Sequence, residues 1–179
     1  MPALDIKLFP DDPLTLKATP YAGVGPEIPR LFEDMIDTME TFNGVGLAGP
    51  QVGISKRIFV TWDPDEEPRC FINPEIVDME GREEGEEGCL SMPRVYGIVP
   101  RATRVRVRAL DEYGEPFELD AQDFLARIIQ HENDHLDGIL FPDRLDIISR
   151  EAALREWDEV RRQILETPSL RNTGSKRRG

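Results

Sequence analysis

Residues 121–138 read AQDFLARIIQHENDHLDG. The apolar residues Phe124, Leu125, Ile128 and Ile129 recur at the spacing of one helix face. Gly138 supplies a stop, so a helix is predicted from about Ala121 to Leu136. On that helix His131 and His135 stand four residues apart, on the same side and one turn apart, where two imidazoles can meet one metal ion. Glu132 lies beside them, placed to take a proton from water that such an ion activates. The segment His131-Glu132-Asn133-Asp134-His135 is thus an H-E-x-x-H motif. The competing reading is a solvated polar face. The motif holds both histidines of the chain, and the stripe beside it is apolar, which favours a buried pair that needs a metal or another partner.

Working outward, the residues before this helix alternate with period two. Arg104-Val105-Arg106-Val107-Arg108-Ala109 predicts a strand with valines inward and arginines outward. Asp111 to Gly114 reads as a turn and Pro116 to Leu119 as the returning strand, a hairpin with one wet face. Further upstream, Arg57 to Trp62 and Cys70 to Ile72 are β-branched or aromatic, bounded by Pro and acidic turns. Glu80 to Glu87 is acidic and broken by Gly, and predicts a solvated loop or a strand edge. Ile28, Leu31, Phe32, Met35, Ile36 and Met39 predict a helix that starts at Pro26 or Pro29 and ends at Asn43-Gly44. The first 26 residues, rich in Pro and Gly, predict a loop over the core.

After the motif a last helix is predicted from about Ser149 to Leu165, with Ser149 as its N-cap. Glu151 would lie in its first turn, Arg161 and Arg162 late in it, and Pro168 would end it. Its apolar face is Ala153, Trp157, Val160 and Ile164. The expected architecture is α+β: short, mostly antiparallel strands packed around a central helix that carries H-E-x-x-H, with a C-terminal helix. Residues 1–170 read as one catalytic domain and 171–179 as a disordered basic tail.

Two histidines leave a metal short of a third protein ligand. An extended metalloprotease motif would place a third histidine at position 141, and the residue there is Phe141. A Glu from a later helix is one route, with Glu151, Glu156 and Glu159 available. The other is Cys89, in Glu86-Glu87-Gly88-Cys89-Leu90-Ser91, since a thiolate suits Zn or Fe. Cys70 opens an apolar strand and reads as a core residue. The segment Gly44-Val45-Gly46-Leu47-Ala48-Gly49-Pro50-Gln51-Val52-Gly53 contains G-x-G-x-x-G, but it follows a helix instead of opening one, so a dinucleotide fold is rejected. It reads instead as a backbone rail for a peptide-like ligand. Gln51 would be a neutral amide donor to an oxyanion.

With 179 residues and a formal net charge of −13, the chain is long enough for a real core and too acidic for general nucleic-acid binding. Its first residues do not read as a secretory signal, and no run is long enough for a membrane span. The two cysteines are too few for a disulfide framework, and a cytoplasmic setting with free thiols is expected.

Taken together and in order, GVGLAGPQVG, EGCLSMP and QHENDHLDG resemble the peptide deformylase family, whose segments are GxGLAAPQVG, EGCLS and QHExDHLxG. The likeness runs from about Leu8 to Leu145. Gly49 departs from the usual Ala, a change expected to loosen the backbone. The resemblance implies one divalent metal held by Cys89, His131 and His135, ferrous iron in the cell with zinc or nickel accepted. It implies Glu132 as general base and then acid, with Gln51 and the backbone N–H of Leu90 at the oxyanion. Val45, Gly46 and Gly88 would line the peptide backbone, and Glu87, Phe124 and Ile128 would border the methionine pocket. The substrate implied is the N-formylmethionyl end of a nascent polypeptide, with transient ribosome contact possible through Lys176-Arg177-Arg178. The rivals are a small zinc peptidase with a Glu third ligand and a catalytically silent, ribosome-associated relative. Retention of both Gln51 and Glu132 weighs against the silent relative.

Overall fold

The computed structural model describes residues 3–167. Helix α1 spans Ile28–Thr41, with Pro29 in its first turn and Ile28, Met35 and Met39 on its buried face. Just past its C-cap Phe42, Asn43 takes the left-handed conformation (φ 57°) that Asn tolerates better than most residues. Seven strands follow: β1 Gly46–Ala48, β2 Ile58–Thr61, β3 Arg69–Glu80, β4 Glu83–Cys89, β5 Met92–Arg101, β6 Arg104–Leu110 and β7 Pro116–Gln122. Helix α2 covers Asp123–Leu136 and α3 covers Ile147–Glu166. The α+β class is as expected from the sequence.

Five strands form an antiparallel sheet in the order β1-β2-β3-β6-β7, while β4 and β5 form a separate antiparallel pair. Period-two alternation in β6 works as predicted, with Val105, Val107 and Ala109 buried. On the other face Arg104 and Arg108 pair with Glu80 and Glu118 at 3.0 Å. Below the sheet, Phe59, Phe71 and Val107 pack against Leu125, Ala126 and Ile129 of α2. Phe59 and Phe71 stack with ring centroids 4.7 Å apart. Helix α3 covers β5 through Ala153, Trp157 and Ile164, and the Trp157 indole donates to the Phe9 carbonyl at 2.9 Å, tying the N-terminal segment to it.

Several boundaries depart from the expectation. Of the two readings of the acidic stretch before Cys89, loop or strand edge, the structure takes the strand, β4. Glu83, Glu84 and Glu86 point to water, which hides the strand pattern in the sequence, while Glu87 is buried. Strand β7 runs through Gln122, so α2 begins at Asp123, two residues later than predicted. Helix α3 starts before Ser149: Asp146 is its N-cap and its Oδ1 accepts from the Ser149 N–H at 2.8 Å, because the carboxylate reaches an orphan donor of the first turn. Glu151, Arg161 and Arg162 consequently lie outside the terminal turns. Gly49 stands in a tightly packed position. A Cβ there would stand 2.8 Å from the Ile54 carbonyl oxygen and 2.9 Å from Ile58 Cγ2, so the absent methyl is replaced by closer packing. Pro168 and the basic tail at 171–179 lie outside the described residues.

Candidate metal centre and active site

Helix α2 is fixed at several points before its motif faces anything. The Gln130 side chain bridges both backbone groups of Ala102 at 2.9 Å, locking the helix to the β5–β6 connection. At the other end, Arg57 donates to the Leu136 carbonyl at 2.9 Å and to Asp137 at 3.0 Å. A cation there satisfies an orphan carbonyl and suits the negative end of the helix. His131 and His135 then stand on one side with ring centroids 5.0 Å apart.

Strand β4 brings Cys89 to them. The metal-binding atoms of Cys89, His131 and His135 all lie within 4.8 Å of one another, and Cys89 Sγ is 3.3 Å from His135 Nε2. The alternative Glu ligands are not here: Glu151, Glu156 and Glu159 are exposed on α3, and Glu151 and Glu159 pair with Arg155 and Arg162. The donor set fits a divalent metal chemically, with one thiolate and two imidazoles converging on a single point. Burial would push the His131 imidazole down, yet hydrogen bonds to Cys89 and Glu87 more than offset this and hold it well above its ordinary value. His135, fully buried and close to His131, is held well below its ordinary value, the neutral form a ligand needs.

Behind His131 lies an ion network that the sequence reading did not find. Burial would raise the Glu87 carboxyl, but hydrogen bonds from Arg101 and His131 hold it well below the usual carboxylate range. Being a carboxylate, it accepts from His131 Nδ1 at 2.8 Å, from Arg101 at 2.9 Å through two nitrogens and from Arg127 at 2.7 Å. Arg101 also reaches Asp134 at 2.6 Å, which Arg144 holds from the other side at 2.7 Å. An imidazole whose Nδ1–H is fixed by a carboxylate presents Nε2 in one tautomer and one orientation. Glu87 was expected only at a pocket border. It does line the cavity, and it also orients a candidate ligand. The sequence signal was an Arg closing the apolar run of β5, too common a feature to single out.

Glu132 is 4 % exposed. Its Oε1 lies 3.9 Å from His131 Nε2, and its Oε2 is buried with no hydrogen-bond partner. Burial pushes this carboxyl up to about 7. It packs on Gly46: a Cβ at that glycine would stand 2.7 Å from Glu132 Oε1. Gly46→Ala therefore should displace the carboxylate and lower kcat by about 100-fold, since misplacement near 1 Å costs that much, with metal content unchanged. An undiminished kcat would remove this role from Gly46.

Gln51 is held through its carbonyl oxygen, which accepts from the Ala48 N–H at 2.9 Å. Its Nε2 donates to Ser91 Oγ at 3.2 Å and approaches Cys89 Sγ at 3.5 Å, so the amide N–H groups face the donor cluster. A cavity of about 150 Å³ opens beside this cluster, lined among others by Val45, Gly46, Gly88, Leu90, Phe124 and Ile128. All twelve site residues expected from the sequence thus meet around one cluster, His135 from the wall behind it.

An α+β fold whose H-E-x-x-H helix meets a cysteine at one donor cluster, beside an open cavity, defines a hydrolase built around a single metal ion. The model of the polypeptide deformylase family matches residues 3–151. A peptide deformylase from Alkalilimnicola ehrlichii is 45 % identical over 166 residues, 91 % of this chain and 93 % of that one. Among solved structures, a peptide deformylase from Legionella pneumophila superposes with a TM-score of 0.87 at 41 % identity, covering 93 % of this chain and all of that one. One from Synechococcus elongatus, in complex with actinonin, gives 0.82 at 39 % identity, covering 88 % and 87 %. The chain belongs to the polypeptide deformylase family. It is accordingly a hydrolase that removes the N-formyl group from newly made polypeptides.

Proposed function

We propose that Cys89, His131 and His135 hold one divalent ion, Fe²⁺ in the cell and Zn²⁺ or Ni²⁺ after ordinary purification, and that Glu132 moves the protons of the reaction. When bound, the ion supplies Lewis acidity to water and to the formyl oxygen. Glu132 takes a proton from the attacking water and delivers it to the amine nitrogen as the C–N bond breaks, leaving formate and a free N-terminal methionine. Its buried, unpartnered Oε2 supports that assignment. Gln51 Nε2 and the Leu90 N–H donate to the oxyanion that forms on the formyl carbon. The Gln51 amide is fixed before substrate arrives by Ala48 and Ser91, and such preorganisation is what lowers the barrier.

The peptide backbone runs along Val45, Gly46 and Gly88, and the methionine side chain enters between Phe124, Ile128 and the buried edge of Glu87. A formyl carbon bears only hydrogen, so a close fit there rejects acetyl and longer groups sterically. Residues 1–170 act as one catalytic unit in the cytoplasm, meeting nascent chains by transient contact at the ribosome. Among the described residues no helix is long and apolar enough to cross a membrane.

The observation that carries the reading is the convergence of Cys89 with His131 and His135 beside Glu132. The test is formate release from formyl-Met-Ala-Ser by the metal-loaded protein. Stoichiometric formate with an intact Met-Ala bond is expected. Cleavage of internal peptide bonds without formate would establish the peptidase instead.

A further inference from the structure

Arg94 stands apart from every other arginine around the site. Arg101, Arg127 and Arg144 are each held by Glu87 or Asp134. Arg94 lines the same cavity, yet its Nε and Nη2 atoms are buried without a hydrogen-bond partner. A buried, unpaired guanidinium edge is costly, and folds retain one where something else pairs with it.

The backbone points the same way. Arg94 has φ 68°, and the other non-glycine residues at positive φ are Asn43, Asn73 and Asp123, types that adopt this conformation readily. For a long side chain it is strain, of the kind found at functional positions. Its origin is a bulge. Cys89 pairs with Met92 and Gly88 with Tyr96, so Pro93, Arg94 and Val95 have no opposite number in β4. A bulge beside an active site re-aims a side chain, and this one turns Arg94 to the cavity wall.

We propose that Arg94 is a substrate-binding residue whose guanidinium edge takes a carboxylate of the formylated peptide, downstream of its methionine. This rests on the deformylase reading of the cavity. The geometry favours a carboxylate over a single carbonyl, because Nε–H and Nη2–H form a parallel fork that matches two oxygens. Surplus negative charge does not already fill the role. Glu87 is held by Arg101 and Arg127, and no ion pair among the described residues includes Arg94. The carboxylate can come from an Asp or Glu side chain or from the free end of a short peptide.

The test compares C-terminally amidated formyl-Met-Ala-Ser, formyl-Met-Glu-Ser and formyl-Met-Ala-Glu with the free-acid form of the first. Wild-type holoenzyme should favour at least one carboxylate-bearing peptide over the amidated neutral one by about tenfold in kcat/KM, carried by KM, as a charged hydrogen bond implies. Which peptide gains identifies whether a side chain or the chain end supplies the group. Arg94→Gly should abolish that preference, and Arg94→Lys should restore only part of it. Glycine suits the left-handed backbone, so Arg94→Gly should melt no lower than wild type, whereas a merely structural arginine would show a loss. Calorimetric binding of the deformylated product peptides should lose the same preference. Equal kcat/KM for acidic and neutral peptides in wild type, or a preference that survives in Arg94→Gly, would overturn the proposal. Absence of formate from every peptide would instead overturn the deformylase reading.

Discussion

Cys89→Ala is expected to purify folded but with less than stoichiometric metal, and to release no measurable formate until metal is added in large excess. Cys89 Sγ is one of three convergent donors, and the two imidazoles that remain cannot close a tetrahedral set with one water alone. Losing even a residue that supports a ligand lowers metal affinity by about 10–100-fold, so losing a ligand should exceed that. Folding should survive. Cys89 is only partly buried at the end of β4, and the truncation removes one atom. Cys70→Ala is the matched control. Cys70 is 2 % exposed in the middle of the sheet, its thiol pushed far up by burial, and its loss should leave metal content intact. Metal analysis after anaerobic purification decides the matter. Full retention in Cys89→Ala would show that the third donor lies elsewhere.

The same pair of cysteines shows how far the sequence carries. Cys89 could be weighed as a ligand because it sits among Gly and acidic residues with no apolar pattern, and Cys70 as core because it opens an apolar strand. Both readings came from local chemistry, which is where sequence is informative. Helix α2 and strand β6 were legible for a related reason: their periods of 3.6 and 2 are set by one buried face each. Strand β4 was legible only as one of two readings, because from Glu83 to Gly88 it holds nothing but Glu and Gly, so no apolar period exists to see. Its existence depends on β5 opposite and on Arg101 and Arg127, far away in sequence, neutralising Glu87.

Arg94 illustrates a different limit. Nothing in MPRVYG marks position 94 as left-handed. The positive φ follows from a register mismatch between β4 and β5, a property of the pair and not of either strand. Likewise Gly46 was read as a rail for ligand, while the structure adds that its missing side chain makes room for Glu132, 86 residues further on. Contacts of that span are written in the fold. The composition of either segment alone does not contain them.

Glu132 is where the proposed chemistry concentrates, and Glu132→Gln isolates it. The amide keeps the shape of the carboxylate, so the packing on Gly46 and the neighbouring His131 should be preserved, and metal content should equal that of wild type. What is lost is the capacity to take a proton from water and return it to the departing amine. A positioned acid–base group contributes about 10²–10⁴ in rate, and Glu132 is proposed to act in both transfers, so kcat should fall by roughly 10³-fold with KM little changed. Stability should move the other way or not at all. Glu132 is buried with one oxygen unpartnered, and a neutral amide is cheaper to desolvate than a carboxylate. A variant that keeps its metal, melts no lower and cannot turn over would separate the proton carrier from the ligand set. If instead formate release persists near the wild-type rate, the proton moves through another group and Glu132 is not the base.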